Sequence, residues 1–158
     1  DFSNTTGNET FYDSSYSFGN STVDSKYKSN YELFQGFMEF KTEVAGIPTI
    51  IFYDFVTNKA VTENNKGYLV GFTLGNTKKP GSFKFSYNYR NLAQDAVIGA
   101  FTDSDFKGGG TDGKGHEFSL NYSTSKPIKF GLTHFANKDS LSNGSDFQRT
   151  QLDLKVKF

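Results

Sequence analysis

Charged and amide side chains recur at every second position along much of this 158-residue chain. Lys84, Asn88 and Arg90 lie in FKFSYNYR, Glu117 and Asn121 in EFSLNYS, Lys129 in IKFGLTHF, and Arg149, Gln151, Asp153 and Lys155 near the close. A two-residue period places such groups on one side of an extended strand. The chemistry open to facing rows of carboxylates and cations is cross-strand ion pairing and a hydrated polar lining. Glu39, Glu43, Asp54 and Lys41 belong to the same pattern. Catalysis asks for more, because a hydrolase needs a nucleophile, a base and an orienting acid, each with its partner. No serine stands out for such a role, and no enzymatic activity is expected. His116 and His134 are the only histidines; far apart in sequence, they read as polar residues near strand ends rather than metal ligands. The absence of cysteine excludes disulfides and thiolate metal sites.

A second group lies between Leu92 and Gly115, where Asp103, Asp105 and Asp112 surround the run FKGGGT. Clustered oxygens beside a glycine turn invite a Ca²⁺ site, since hard cations take several oxygen ligands. Lys114 stands where a helix-loop-helix calcium loop needs its closing Glu. The favoured reading is an ordered turn, with glycines at positive φ and aspartates capping backbone amides. No cofactor is expected.

The elements that position these groups follow from composition and period. Only 35% of residues are hydrophobic, yet 17% are aromatic, with 18 Phe and 9 Tyr. Such apolar content favours strands. The 17 basic and 17 acidic residues cancel and are interspersed, so no nucleic-acid partner is suggested. Residues 1–32, rich in Ser, Thr, Asn and Gly, read as a long extracellular loop or a truncated start that cannot fold alone. From Leu33 onward, alternating segments separated by turns predict about seven strands over residues 33–158. Phe83, Phe85, Tyr87 and Tyr89 take one face of their segment, as do Phe118, Leu120 and Tyr122 of theirs. The segment IPTIIFYDFV is apolar on both faces and leaves its orientation open.

Two folds accept an aromatic face with a polar back. A sandwich turns the apolar face inward, and an outer-membrane barrel turns it to lipid. Segments of about nine to twelve residues match a tilted span of a bilayer better than the usual strand of about five or six. The connectors AGIP, NTKKPG and TSKP are short, and those between them are longer, as in barrels with short periplasmic turns. The chain closes on Leu152, Leu154, Val156 and Phe158 at alternate positions. That close resembles the C-terminal signal read by the barrel-assembly machinery. The expectation is an all-β antiparallel transmembrane β-barrel. An odd strand count then predicts either an eighth strand at Tyr12–Phe18 or the C-terminal part of a larger barrel of roughly 16 strands.

The stretches VAGIPTIIFYDFVTN, KKPGSFKFSYNYRNLAQDAVIGAFTDSDFKGGGTDGKGHEFSLNYS and TQLDLKVKF together resemble the C-terminal portion of the bacterial family of putative porins. GAFTDSDFKGGGTDGKGH is their most distinctive element. The resemblance implies a Gram-negative outer-membrane barrel through which small hydrophilic solutes or ions diffuse. Its surroundings would be the lipid bilayer and lipopolysaccharide, and a homotrimer follows by analogy with general porins. The ten polar residues named first would line the pore, and Asp103, Asp105 and Asp112 would belong to a constriction loop at 92–115. The alternatives are a small closed barrel with a structural or adhesive role and a soluble carbohydrate-binding β-sandwich.

Overall fold

A computed structural model describes residues 4–12, 16–125 and 127–157. Two short strands, β1 (Thr22–Val23) and β2 (Lys26–Tyr27), pair as a small hairpin. Seven long strands follow: β3 (Leu33–Val44), β4 (Ile47–Asn58), β5 (Lys66–Gly75), β6 (Phe83–Leu92), β7 (Gly113–Ser123), β8 (Ile128–Lys138) and β9 (Asp146–Val156). They form one sheet in chain order, every neighbouring pair antiparallel. The fold is therefore all-β, as the period predicted. Among the described residues β3 and β9 have one neighbour each, and the sheet is open.

The connectors differ at the two ends. At one end stand 45–46, 76–82 and 124–127; at the other stand 59–65, 93–112 and 139–145. The tightest joins β3 to β4 through Ala45 and Gly46, at φ 50° and 78°. Two consecutive positive φ values give the turn whose twist matches that of the flanking strands. The expected short and long alternation is blunter than the sequence suggested, because 59–65 and 76–82 have equal length. Polar residues continue the ladder past the apolar stretch, with Thr57 paired to Lys66, so the longer connector loses residues at both ends. Within 93–112 the only helical element is a single turn, Gly99–Phe101.

Register fixes which side chains share a face. Phe40, Ile51, Phe72, Tyr87 and Phe118 stand in one row across β3 to β7, and Thr42, Thr49, Leu74, Phe85, Leu120, Leu132 and Leu152 in the next. The ambiguous segment is settled by the same ladder, which turns Ile51, Tyr53 and Phe55 to this apolar side and Ile50, Phe52 and Asp54 to the other. Among the described residues no second layer covers the apolar face. Phe40 is 64% exposed and Leu154 61%.

The buried apolar cluster lies elsewhere, in a cap built from residues 4–12, 16–32 and the 93–112 connector. Tyr27, Tyr31 and Ile98 form it, with Phe11 and Ala100 packed against them. The composition of 1–32 cannot make a core alone, and the partner it needs comes from 93–112. Of the stretch read as an eighth strand, residues 13–15 lie outside the described residues, and Tyr12 and 16–18 belong to no strand.

Candidate functional site

The face opposite the aromatic rows collects the chemistry-bearing residues. Lys84 lies opposite Asn121, and Asn88 opposite Glu117, whose Oε2 accepts a hydrogen bond from Asn88 Nδ2 at 2.8 Å. Lys129 is opposite Lys155, Gly131 opposite Asp153, Thr133 opposite Gln151, and Phe135 opposite Arg149. With Arg90 opposite Gly115, all ten predicted polar residues share one face. That face is not uniformly polar, since register also puts Phe37, Ile50, Phe52 and Leu69 on it.

The 93–112 connector folds over this face at the loop end. Arg90 pairs with Asp103 at 3.4 Å, and Arg149 pairs with Asp105 at 3.0 Å. Arg149 also donates to the Ser104 carbonyl at 3.4 Å, while the Arg90 guanidinium sits 4.5 Å from the centre of the buried Phe106 ring. Two arginines from β6 and β9 thus hold one short acidic segment across four strands. Asp112 turns away and accepts from Ser140 Oγ at 2.8 Å and the Leu141 amide at 3.3 Å, tying 93–112 to 139–145. The three aspartates reach three different partners and do not converge. Among the described residues no group of three His, Cys, Asp or Glu stands close enough to hold a metal.

The cap is joined to the connector by side chains that replace backbone partners. Asn20 Nδ2 donates to the Gln94 and Val97 carbonyls at 2.8 Å each, and its Oδ1 accepts from the Gly99 amide at 2.7 Å. Tyr31 donates to Asp95 Oδ1 at 3.0 Å. Burial, reinforced by the Asp95 carboxylate, pushes the Tyr31 phenol far above the usual tyrosine range. Asn58 Nδ2 bridges the Asn30 and Asp95 carbonyls at 3.0 Å each. Burial lowers the Lys107 ammonium, an effect that Asp112 and Asp139 oppose. Asn20, Asn58, Asp95, Thr111 and Phe106 carry no sequence signal beyond residue type, and only the long-range fold identifies them.

A hollow of about 330 Å³ remains between the connector and the sheet, lined by Gln35, Asp54, Leu69 and Arg90 below and Val97, Thr102 and Asp103 above. Both histidines face the other side, where His116 Nδ1 meets the Tyr87 hydroxyl and His134 Nδ1 the Thr150 hydroxyl, each at 2.9 Å. Leu152, Leu154 and Val156 also take the apolar face, beside Leu132, Phe130 and Ile128. Phe158 lies outside the described residues.

A family model described as putative porin matches residues 13–158. No curated protein and no solved structure matches the chain.

Proposed function

The chain belongs to the putative porin family, and from that premise we propose that it forms the wall of an outer-membrane β-barrel through which small hydrophilic solutes or ions diffuse passively. One observation carries this reading: a single-layer sheet of strands 10–12 residues long, aromatic and aliphatic on one face and polar on the other, with the apolar face uncovered. Exposed apolar rows of that extent cost free energy in water and gain it in lipid. Backbone groups at the sheet edges cannot stay unpaired within a bilayer, so such a sheet must close.

Strand direction limits how it closes. Six successive antiparallel pairings leave β3 and β9 running the same way. Joining them directly would make a parallel pair, so an all-antiparallel barrel needs an odd number of further strands between these edges. An even strand number follows, met by one further strand as by nine; because Tyr12 and residues 16–18 belong to no strand, we favour the larger barrel. The polar face then lines the lumen, with 93–112 narrowing it from the loop end. Polar side chains and water replace part of a solute's hydration, and width and charge at the narrowing set selectivity.

The test is conductance. The intact protein reconstituted in a planar bilayer is expected to give ohmic single-channel steps, and their absence at all protein concentrations would sink the pore reading. Extraction by carbonate without detergent would favour the soluble sandwich instead.

A further inference from the structure

The charge on the polar face is divided. On β3 and β4 it consists of Glu39, Glu43 and Asp54 against Lys41, and Lys41 is committed to Glu39 at 2.7 Å. On β6 to β9 the turn end is basic. There a concavity of about 220 Å³ is lined by Lys84, Lys129, Lys155 and Lys157, with Asp153 the only acid in its wall among the described residues. Among the described residues none of these four lysines forms an ion pair. One contact orients them: Lys129 Nζ donates to Thr77 Oγ1 at 3.1 Å, drawing the ammonium toward the 76–82 turn. Gly131 lies in the wall of the concavity, where a Cβ would stand 3.2 Å from Asn121 Oδ1 and 3.3 Å from Asp153 Cβ and would crowd both.

Four ammonium groups share one small cavity with a single carboxylate, Asp153, so a net positive field is left there that attracts a further anion. Ammonium groups are point donors that suit a compact oxyanion without demanding a planar fork. We propose that this concavity is a binding subsite for small oxyanions, with inorganic phosphate as the simplest member of the class, and that it gives the pathway a preference for anions. The proposal rests on the pore reading for its second half only, because the subsite binds whether or not solute crosses.

Titration of detergent-purified intact protein with inorganic phosphate at low ionic strength tests the subsite directly. Saturable binding is expected, competed by chloride. The double variant Lys84→Gln, Lys129→Gln is expected to weaken it at least roughly tenfold, and Lys41→Gln, on the acidic side, to leave it unchanged. Should the double variant fail to fold, Lys155→Gln with Lys157→Gln serves instead, both residues being exposed near the end of β9. No saturable binding in the unmodified protein, or equal binding in the lysine variants, overturns the subsite. In planar bilayers a salt gradient is expected to give a reversal potential of the anion-selective sign that both double variants diminish. Cation selectivity overturns the claimed preference. Phosphate binding without any conductance would instead overturn the pore reading and leave the subsite standing.

Discussion

The cap and the sheet use the same aromatic residues in opposite ways. In the cap Tyr27, Tyr31 and Phe106 are 2%, 0% and 1% exposed, packed among asparagine, threonine and glycine. On the sheet's apolar face Phe40, Phe83 and Phe130 are 64%, 53% and 51% exposed, with no layer of the described residues over them. The first arrangement is that of a water-soluble protein, in which aromatic area is removed from solvent by neighbours. The second leaves aromatic area unpaired by any described residue, which is the arrangement an apolar solvent would stabilise. The proposed membrane setting would rest on one face of one element, and low mean hydropathy does not oppose it.

Perturbing the cap should give the largest local effect. Tyr31→Ala empties the centre of the only buried apolar cluster among the described residues, and aromatic-to-alanine changes in cores cost about 3–5 kcal/mol. Amides of 20–31 and 93–111 are expected to exchange with deuterium much faster, while those in the middle of β5 to β8 stay protected. Equal loss of protection in the strands would mean that cap and sheet fold as one unit. Alkali should loosen the same contact. The folded pKa of Tyr31 is raised above its ordinary 10.0 by burial, so the folded state holds a proton that the unfolded chain releases. The resulting stability is fully present below pH 10.0 and declines as pH rises toward the folded value. In Tyr31→Phe that alkaline loss is expected to shrink in the cap's exchange profile to the part due to Tyr27, whose phenol burial also raises.

Next comes the sheet, where one residue step reverses the outcome. Leu120→Arg puts a charge on the apolar face near mid-strand and is expected to cost about 2–4 kcal/mol in a bilayer. Its neighbour Ser119 faces the polar side opposite Ser86 and Thr133; Ser119→Arg should cost under about 1 kcal/mol. Urea titrations of both variants refolded into phospholipid vesicles check the difference. Comparable losses would mean that the two faces do not meet different solvents.

The same division explains what the sequence disclosed. Strands and faces were legible because a period of two is local: β3 begins at Leu33 and β6 at Phe83, where the alternation begins. The ten polar residues could be assigned to one face without knowing any contact. β7 and β9 extend further N-terminally than the pattern suggested, to Gly113 and Asp146. Glycine and polar residues there keep the ladder without an apolar row to announce it. The cap was hidden for a different reason. Its cohesion depends on asparagine amides standing in for backbone partners, Asn20 reaching residues more than 70 positions away. An asparagine that does this is indistinguishable in sequence from one in a solvated turn.

The smallest expected effect lies where the two regions meet. Asp103 and Asp105 hold the connector over the polar face through Arg90 and Arg149, and three of the four side chains are more than 40% exposed. Exposed ion pairs contribute about 0–1 kcal/mol each and weaken with salt. Asp103→Asn with Asp105→Asn should therefore leave global stability nearly unchanged. Amide exchange within 100–110 is expected to rise a few-fold, about as much as 1 M salt produces in the unmodified protein, with no further salt effect in the variant. The Asn20 and Tyr31 anchors hold the rest of the connector whether or not the arginines do, so protection at 94–99 should persist. Simultaneous loss at 94–99 would show that the arginine contacts support the cap rather than only hold the acidic segment over the polar face.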